Sequence, residues 1–164
     1  MDNWRIILYE IIENCVKTAG VKRFSTWNSQ DEDDTNDAHL AVSNAFFEIT
    51  EGEQTFIFGS GIDTKNIENK IKFTVHILMK NSGVNQDKQK EIFIFADKIC
   101  EEIIRYSGPE FFQFRKIDEK QDTKHTGKLT YPLTFETVFS TVHEQKKFEK
   151  TLVLKINNSV EIKN

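Results

Sequence analysis

Apolar residues recur at spacings of three and four over 2–18, where Trp4, Leu8, Ile11, Cys15 and Ala19 form a stripe that Ile7 and Ile12 widen. A helix turns once every 3.6 residues, so these positions share one face and predict an amphipathic helix with that face covered. Asp2 or Asn3 can cap its start, and Gly20 stops it. Neither period runs through 24–40. The centre of that interval, 30–37, carries Asp31, Glu32, Asp33, Asp34 and Asp37, and a loop of this length is expected to be functional or disordered.

Period two takes over next. Ala45, Phe47 and Ile49 alternate with Asn44, Phe46 and Glu48, and Glu51-Gly52-Glu53 reads as a turn before 55–58, so the pair predicts a hairpin. A polar loop is expected over 59–69. In 71–79 the residues Ile71, Phe73, Val75, Ile77 and Met79 oppose Lys72, Thr74, His76 and Lys80, the signature of a strand with one buried and one polar face. After a loop at 81–88, a second helix is predicted over 89–106, with Ile92, Phe93, Ala96, Ile99, Cys100, Ile103 and Tyr106 on one side. The run Ile92-Phe93-Ile94-Phe95 also suits a strand, but length and period favour helix, and Gly108-Pro109 ends it.

Two more strands form an expected hairpin. Phe112, Phe114 and Lys116 alternate with Gln113, Arg115 and Ile117; a polar turn covers 118–128; and Leu129, Tyr131, Leu133, Phe135 and Phe139 alternate with Thr130, Thr134, Glu136 and Ser140. Pro132 lacks a ladder donor, so its strand is expected to be an edge there or to carry a bulge. A last strand is predicted over 151–156 with Leu152, Leu154 and Ile156 on one face, and 157–164 reads as a flexible C-terminal arm. The expected architecture is one α+β domain over 1–156: a mostly antiparallel sheet with two helices packed on one face.

Composition narrows the function classes. The chain has 164 residues, 29% charged and 38% hydrophobic with 14 Phe, enough apolar content for one ordinary core. No stretch of about 18 apolar residues occurs, so no membrane span is predicted. Asp2 and Glu10 interrupt the first apolar run, which does not read as a signal peptide. The expected address is a cytoplasm, or a particle assembled in one. A net charge of −4 argues against a dedicated nucleic-acid binder, which needs a local excess of Lys and Arg. Cys15 and Cys100 both fall on apolar helix faces; sequence leaves a disulfide open, but two buried thiols fit the expected reducing compartment better.

The sequence holds no clear catalytic or metal-binding motif. His39, His76, His125 and His143 stand apart from one another and from both cysteines, so metal-ligand spacing is absent. His76, on the polar face of its strand, and His125, in a turn, read as solvated surface residues. Asp31, Asp33 and Asp37 match calcium-loop positions one, three and seven, yet Asn36 replaces the required Gly and Val42 the bidentate Glu. Gly59-Ser60-Gly61 is too short for a phosphate cradle. Glu101 and Glu102 point about 100° apart on a helix, which suits solvation. Phe46, Phe47, Phe56, Phe58, Phe111, Phe112, Phe114, Phe135 and Phe139 could stack bases, but few cations interleave with them, and core packing is the better reading. No cofactor, no metal and no catalytic residue is expected.

The strand at 71–79, the helix at 89–106 and the long strand at 129–139 after a polar turn give an order that resembles the tail-terminator and tail-completion proteins of tailed bacteriophages. The resemblance spans residues 3–141 and is one of element order, without a diagnostic motif. The long acidic loop and the added strand and arm after His143 depart from it. It implies a non-enzymatic virion protein forming a ring at the head–tail junction, sixfold or twelvefold. Its partners would be copies of itself, neighbouring portal, neck and tail proteins, and DNA passing without specific binding. Asp31, Glu32, Asp33, Asp34 and Asp37 then become candidates for a subunit-contact or channel loop. The other readings are a non-viral protein-binding adaptor domain and an enzyme with a dispersed site.

Overall fold

A computed structural model describes residues 3–28, 42–58, 64–80, 86–109, 111–121 and 128–144. Their order is α1 (Trp4–Thr18), β1 (Arg23–Thr26), β2 (Asn44–Phe58), β3 (Thr64–Lys80), α2 (Gln86–Arg105), β4 (Arg115–Glu119) and β5 (Lys128–Glu144). The strands form one sheet in the order β1-β2-β3-β5-β4; only the β1–β2 pair is parallel. Both helices pack on one face, as the stripes predicted. The chain is an α+β protein with a five-stranded, mostly antiparallel sheet and two helices. No helix among the described residues is long and apolar enough to cross a membrane.

The core lies between the two layers. From the sheet come Ala45, Phe47, Ile71, Phe73, Val75, Ile77, Leu133 and Phe135; from the helices come Leu8, Ile12, Val16, Ile92, Ile99 and Ile103. Phe73 sits at its centre, fully buried, stacked on Phe135 at 5.4 Å between ring centroids and tilted against Phe47 at 5.6 Å. Asn3 caps α1 through its side-chain oxygen, which accepts from the Arg5 amide at 3.1 Å. At the other end the Gly20 amide donates to Lys17 O and the Val21 amide to Val16 O. That double closure needs a left-handed residue, and Gly20 supplies it with φ of 96°.

Several expected boundaries are corrected. Glu51-Gly52-Glu53 is not a turn: β2 runs unbroken to Phe58, with Gly52 paired to Ile71, and the irregularity is a bulge at Thr50, between Ile49 and Glu51. One extra residue shifts the alternation by one position, which in sequence imitates an interruption. The expected loop at 59–69 is strand from Thr64 onward. Phe24, Ser25 and Thr26, placed in the polar interval, belong to the parallel edge strand β1 (Arg23–Thr26). Asp118 and Glu119, expected in a turn, belong to β4. Phe112, expected in an alternating strand, is 60% exposed while Phe111 and Phe114 are buried. Only an isolated bridge at Phe111 precedes β4, so period two does not hold there.

Pro132 lies in β5, an interior strand of the sheet, but past the end of the β4 ladder, where β5 is locally an edge as expected. Its carbonyl accepts from the Lys120 amide at 3.2 Å. A strand residue's N and C=O point to the same neighbour, so the proline nitrogen faces the β4 side. The β4 ladder has already ended at Glu119↔Leu133, and the missing donor falls where no strand needs it. The expected strand at 151–156, the arm at 157–164 and the acidic run lie outside the described residues.

Candidate functional site

The helix-free face of the sheet holds the polar chemistry, and the strand register fixes it in rows. One row is Glu51, Lys72, Glu136 and Arg115 across β2, β3, β5 and β4. Its charges alternate, and Lys72 is paired with Glu51 and Arg115 with Glu136. The hydrogen bond from Lys72 holds the Glu51 carboxyl below its usual range, and Glu51 in turn raises the Lys72 ammonium. Both groups are open to water, so the ladder orders the surface more than it stabilises the fold.

The next row is Glu48, Thr74, Thr134 and Asp118, with the Thr74 and Thr134 hydroxyls 3.1 Å apart. Beyond it come Phe46, His76 and Pro132 in register. His76 is not the solvated residue expected: its side chain is 13% exposed. Its ring stacks on Trp27 at 4.0 Å and 9°, and its Nε2 lies 2.7 Å from Glu48 Oε2. Trp27 also meets the Phe46 ring edge-on at 5.8 Å. Phe46 thus packs on this face and not in the core between the layers. The next row is Asn44, Leu78 and Thr130, at 2%, 1% and 3% exposure, ahead of the closing pair Lys80 and Lys128. Thr130 Oγ1 is buried without a hydrogen-bond partner. The face therefore passes from open charge around Lys72 to buried, aromatic surroundings around His76 and Leu78.

Sequence reasoning missed this aromatic corner because its anchor, Trp27, stands in a stretch without periodicity. The available signal was an isolated aromatic pair, Phe24 and Trp27, ahead of the acidic run. Phe24 turns to the core side against Tyr9 at 5.0 Å, and the Trp27 amide donates to Phe47 O at 2.8 Å.

Edge strand β4 is exposed along its whole length. It carries Arg115, Lys116, Asp118 and Glu119, and a bulge falls at Ile117. Charges and a bulge on an edge discourage indiscriminate strand pairing. Beside it, an open cleft of about 520 Å³ is lined by Lys70, Ile104, Arg115, Lys116, Glu136 and Val138, among others. Arg115 is held by Glu136, and Lys116 by Glu119 at 2.6 Å, so the cleft offers little unbalanced charge. Among the described residues, no three His, Cys, Asp or Glu side chains are grouped to hold a metal ion.

Of the residues singled out in sequence, Asp31, Glu32, Asp33, Asp34, Asp37, His39 and His125 lie outside the described residues. The segment that carries the acidic run joins Asn28, just past β1, to Val42, just before β2; it leaves from one edge of the sheet. His143 stands opposite Lys65 in the β3–β5 register. Cys15 and Cys100 are both free thiols. Cys15 Sγ lies 3.6 Å from Glu102 O, and burial pushes its thiol up to about 11; burial also raises Cys100.

The sheet extends past its helical layer. Trp4 and Arg5 at the start of α1 lie by Gly52, Glu53 and Asn69, and Ile104 near the end of α2 lies by Lys70 and Val138. Beyond that level β3 and β5 continue for five more pairs, Glu68↔Ser140 to Thr64↔Glu144, with β2 alongside to Phe58↔Lys65. At about 3.4 Å per residue this three-stranded arm runs on for roughly 17 Å beyond the described helices. No protein-family model and no curated protein sequence matches the chain.

Proposed function

We propose that this chain is a structural virion protein of a tailed bacteriophage that assembles as a ring at the head–tail junction, as a neck, tail-terminator or tail-completion subunit. The observation that carries the reading is the three-stranded arm of β2, β3 and β5, running about 17 Å past the level where both helices end. An isolated domain has little use for so long an extension of backbone. A subunit that contacts a neighbour through one surface and receives its other neighbour on a different one does, and such heterologous contacts close into rings. The order of helix, strands, long helix and closing strands supports the same reading, as does the charged and bulged edge β4, which restricts pairing to a specific partner.

In this reading the ring's partners are copies of itself, in sixfold or twelvefold number, and the portal, neck and tail proteins stacked above and below. The acidic run Asp31, Glu32, Asp33, Asp34 and Asp37 serves as a subunit-contact or channel loop. Facing the channel, it would let DNA pass by like-charge repulsion. The chemistry of the subunit is assembly, without a catalytic step or a cofactor. Size exclusion with light scattering over a wide concentration range tests the proposal. It predicts a species six or twelve times the 19.2 kDa chain; a discrete dimer that does not change with concentration counts against it.

A further inference from the structure

We propose that Trp27, His76 and Glu48 form a proton-controlled clamp that fixes the end of edge strand β1 to the helix-free face of the sheet. β1 itself is weakly attached: it has four residues and, among the described residues, pairs on one side only, with β2. Immediately after it, the Trp27 indole lies flat on the His76 ring at 4.0 Å, and Glu48 Oε2 meets the edge of that ring at Nε2, 2.7 Å away. The ring is thus caught between a π face and a carboxylate, with its side chain only 13% exposed.

Both neighbours act in the same direction. A carboxylate at hydrogen-bond distance favours the imidazolium form, and so does an aromatic face over a cation. Burial acts the other way, as do the cations on the same face, Arg23 of β1 one row off and Lys80 of β3 two rows off. The nearer described neighbours are uncharged. Phe46 comes from β2, Thr74 and Leu78 from β3, and Thr130, Pro132 and Thr134 from β5; the carboxylate of Asp118 on β4 stands one row away, beside Thr134. In this proposal the two groups in direct contact with the ring outweigh those effects, and the folded state binds the proton more tightly than the unfolded chain. The clamp is fully closed below the free histidine value of about 6.5 and loosens as pH rises through the higher folded value. Trp27 is the last residue but one before the segment carrying the acidic run, so the clamp fixes where that segment leaves the sheet.

The test uses a Trp4→Phe chain, in which Trp27 is the sole indole. An imidazolium stacked on an excited indole accepts an electron and quenches it, so emission should fall in one sigmoidal step as pH drops from 9 to 5. Its midpoint should lie above about 6.5. His76→Gln should abolish the step, and Glu48→Gln should move the midpoint down by at least half a unit. Proton NMR of the His76 ring in the unsubstituted protein gives the same midpoint without relying on any variant folding. A second readout is hydrogen exchange, corrected for intrinsic rate: the Trp27 amide, bonded to Phe47 O, should be several-fold better protected below the midpoint than above it. A His76 midpoint at or below the free value, or protection at Trp27 that ignores that midpoint, would overturn the clamp.

Discussion

Replacing Phe73 by alanine tests whether the two layers meet where the structure places them. The ring is fully buried. It stacks on Phe135 at 5.4 Å and 19°, tilts against Phe47 at 5.6 Å, and meets Phe114 edge-on at 5.9 Å and 87°. Truncating a buried Phe costs about 3–5 kcal/mol through lost transfer energy and the cavity left behind. Each aromatic pair adds about 0.5–1.5 kcal/mol beyond area, so three such contacts put Phe73 in the upper half of that range. Small domains have only about 5–15 kcal/mol in all. With a urea slope of about 2 kcal/mol/M, the unfolding midpoint should fall by roughly 2 M. Equilibrium urea unfolding followed by circular dichroism measures this directly. Phe112→Ala is the matched control, because a ring 60% exposed should cost no more than about 0.5 kcal/mol. A Phe73→Ala shift as small as the control's would refute the placement of the core.

Gly20→Ala should cost about 1–2 kcal/mol, from backbone strain alone: φ is 96° and the added Cβ would meet Phe95 at an ordinary 3.7 Å. Thermal unfolding of the variant reads it, and no change would deny the left-handed cap. Cys15 should resist alkylation at pH 8 in the native protein and react on unfolding, since burial lifts its thiol to about 11. The folded state keeps that proton longer, so the site's stability is complete below the free thiol value of about 8.5 and is lost as pH rises towards 11. Cys15→Ala should remove that part of the alkaline decline in the unfolding midpoint, and an unchanged pH profile would contradict the assignment. Lys72→Ala and Glu51→Ala should each leave the unfolding midpoint unchanged within error, because both partners are open to water; a clear loss would mean that the charge ladder holds the sheet together.

The elements with one dry and one wet face were legible from spacing alone. Leu8, Ile11, Ile12 and Cys15 predicted the buried side of α1, and Phe73, Val75 and Ile77 that of β3, because burial on one side imposes the period directly. Elements whose burial is uneven were not. β1 has four residues with only Phe24 half-buried, so its place in the sheet rests on pairing with β2, a long-range fact that no local pattern carries. The Thr50 bulge broke the alternation of β2 and made Gly52 resemble a turn. The helix-free face was expected to be simply polar. In the structure it carries charge beside Lys72 and Glu136, at Glu48 and at the Lys80–Lys128 pair, whereas Leu78 on the same face is almost completely buried. His76 illustrates the difference: alternation assigned it to the correct face, but only the fold brings Trp27 over it.

The central claim, a ring-forming subunit, is tested most directly by negative-stain imaging of the largest species recovered from size exclusion. The account predicts closed rings of six or twelve subunits with an open central channel. Isolated single chains at every concentration, or open chains of subunits that never close, would contradict it.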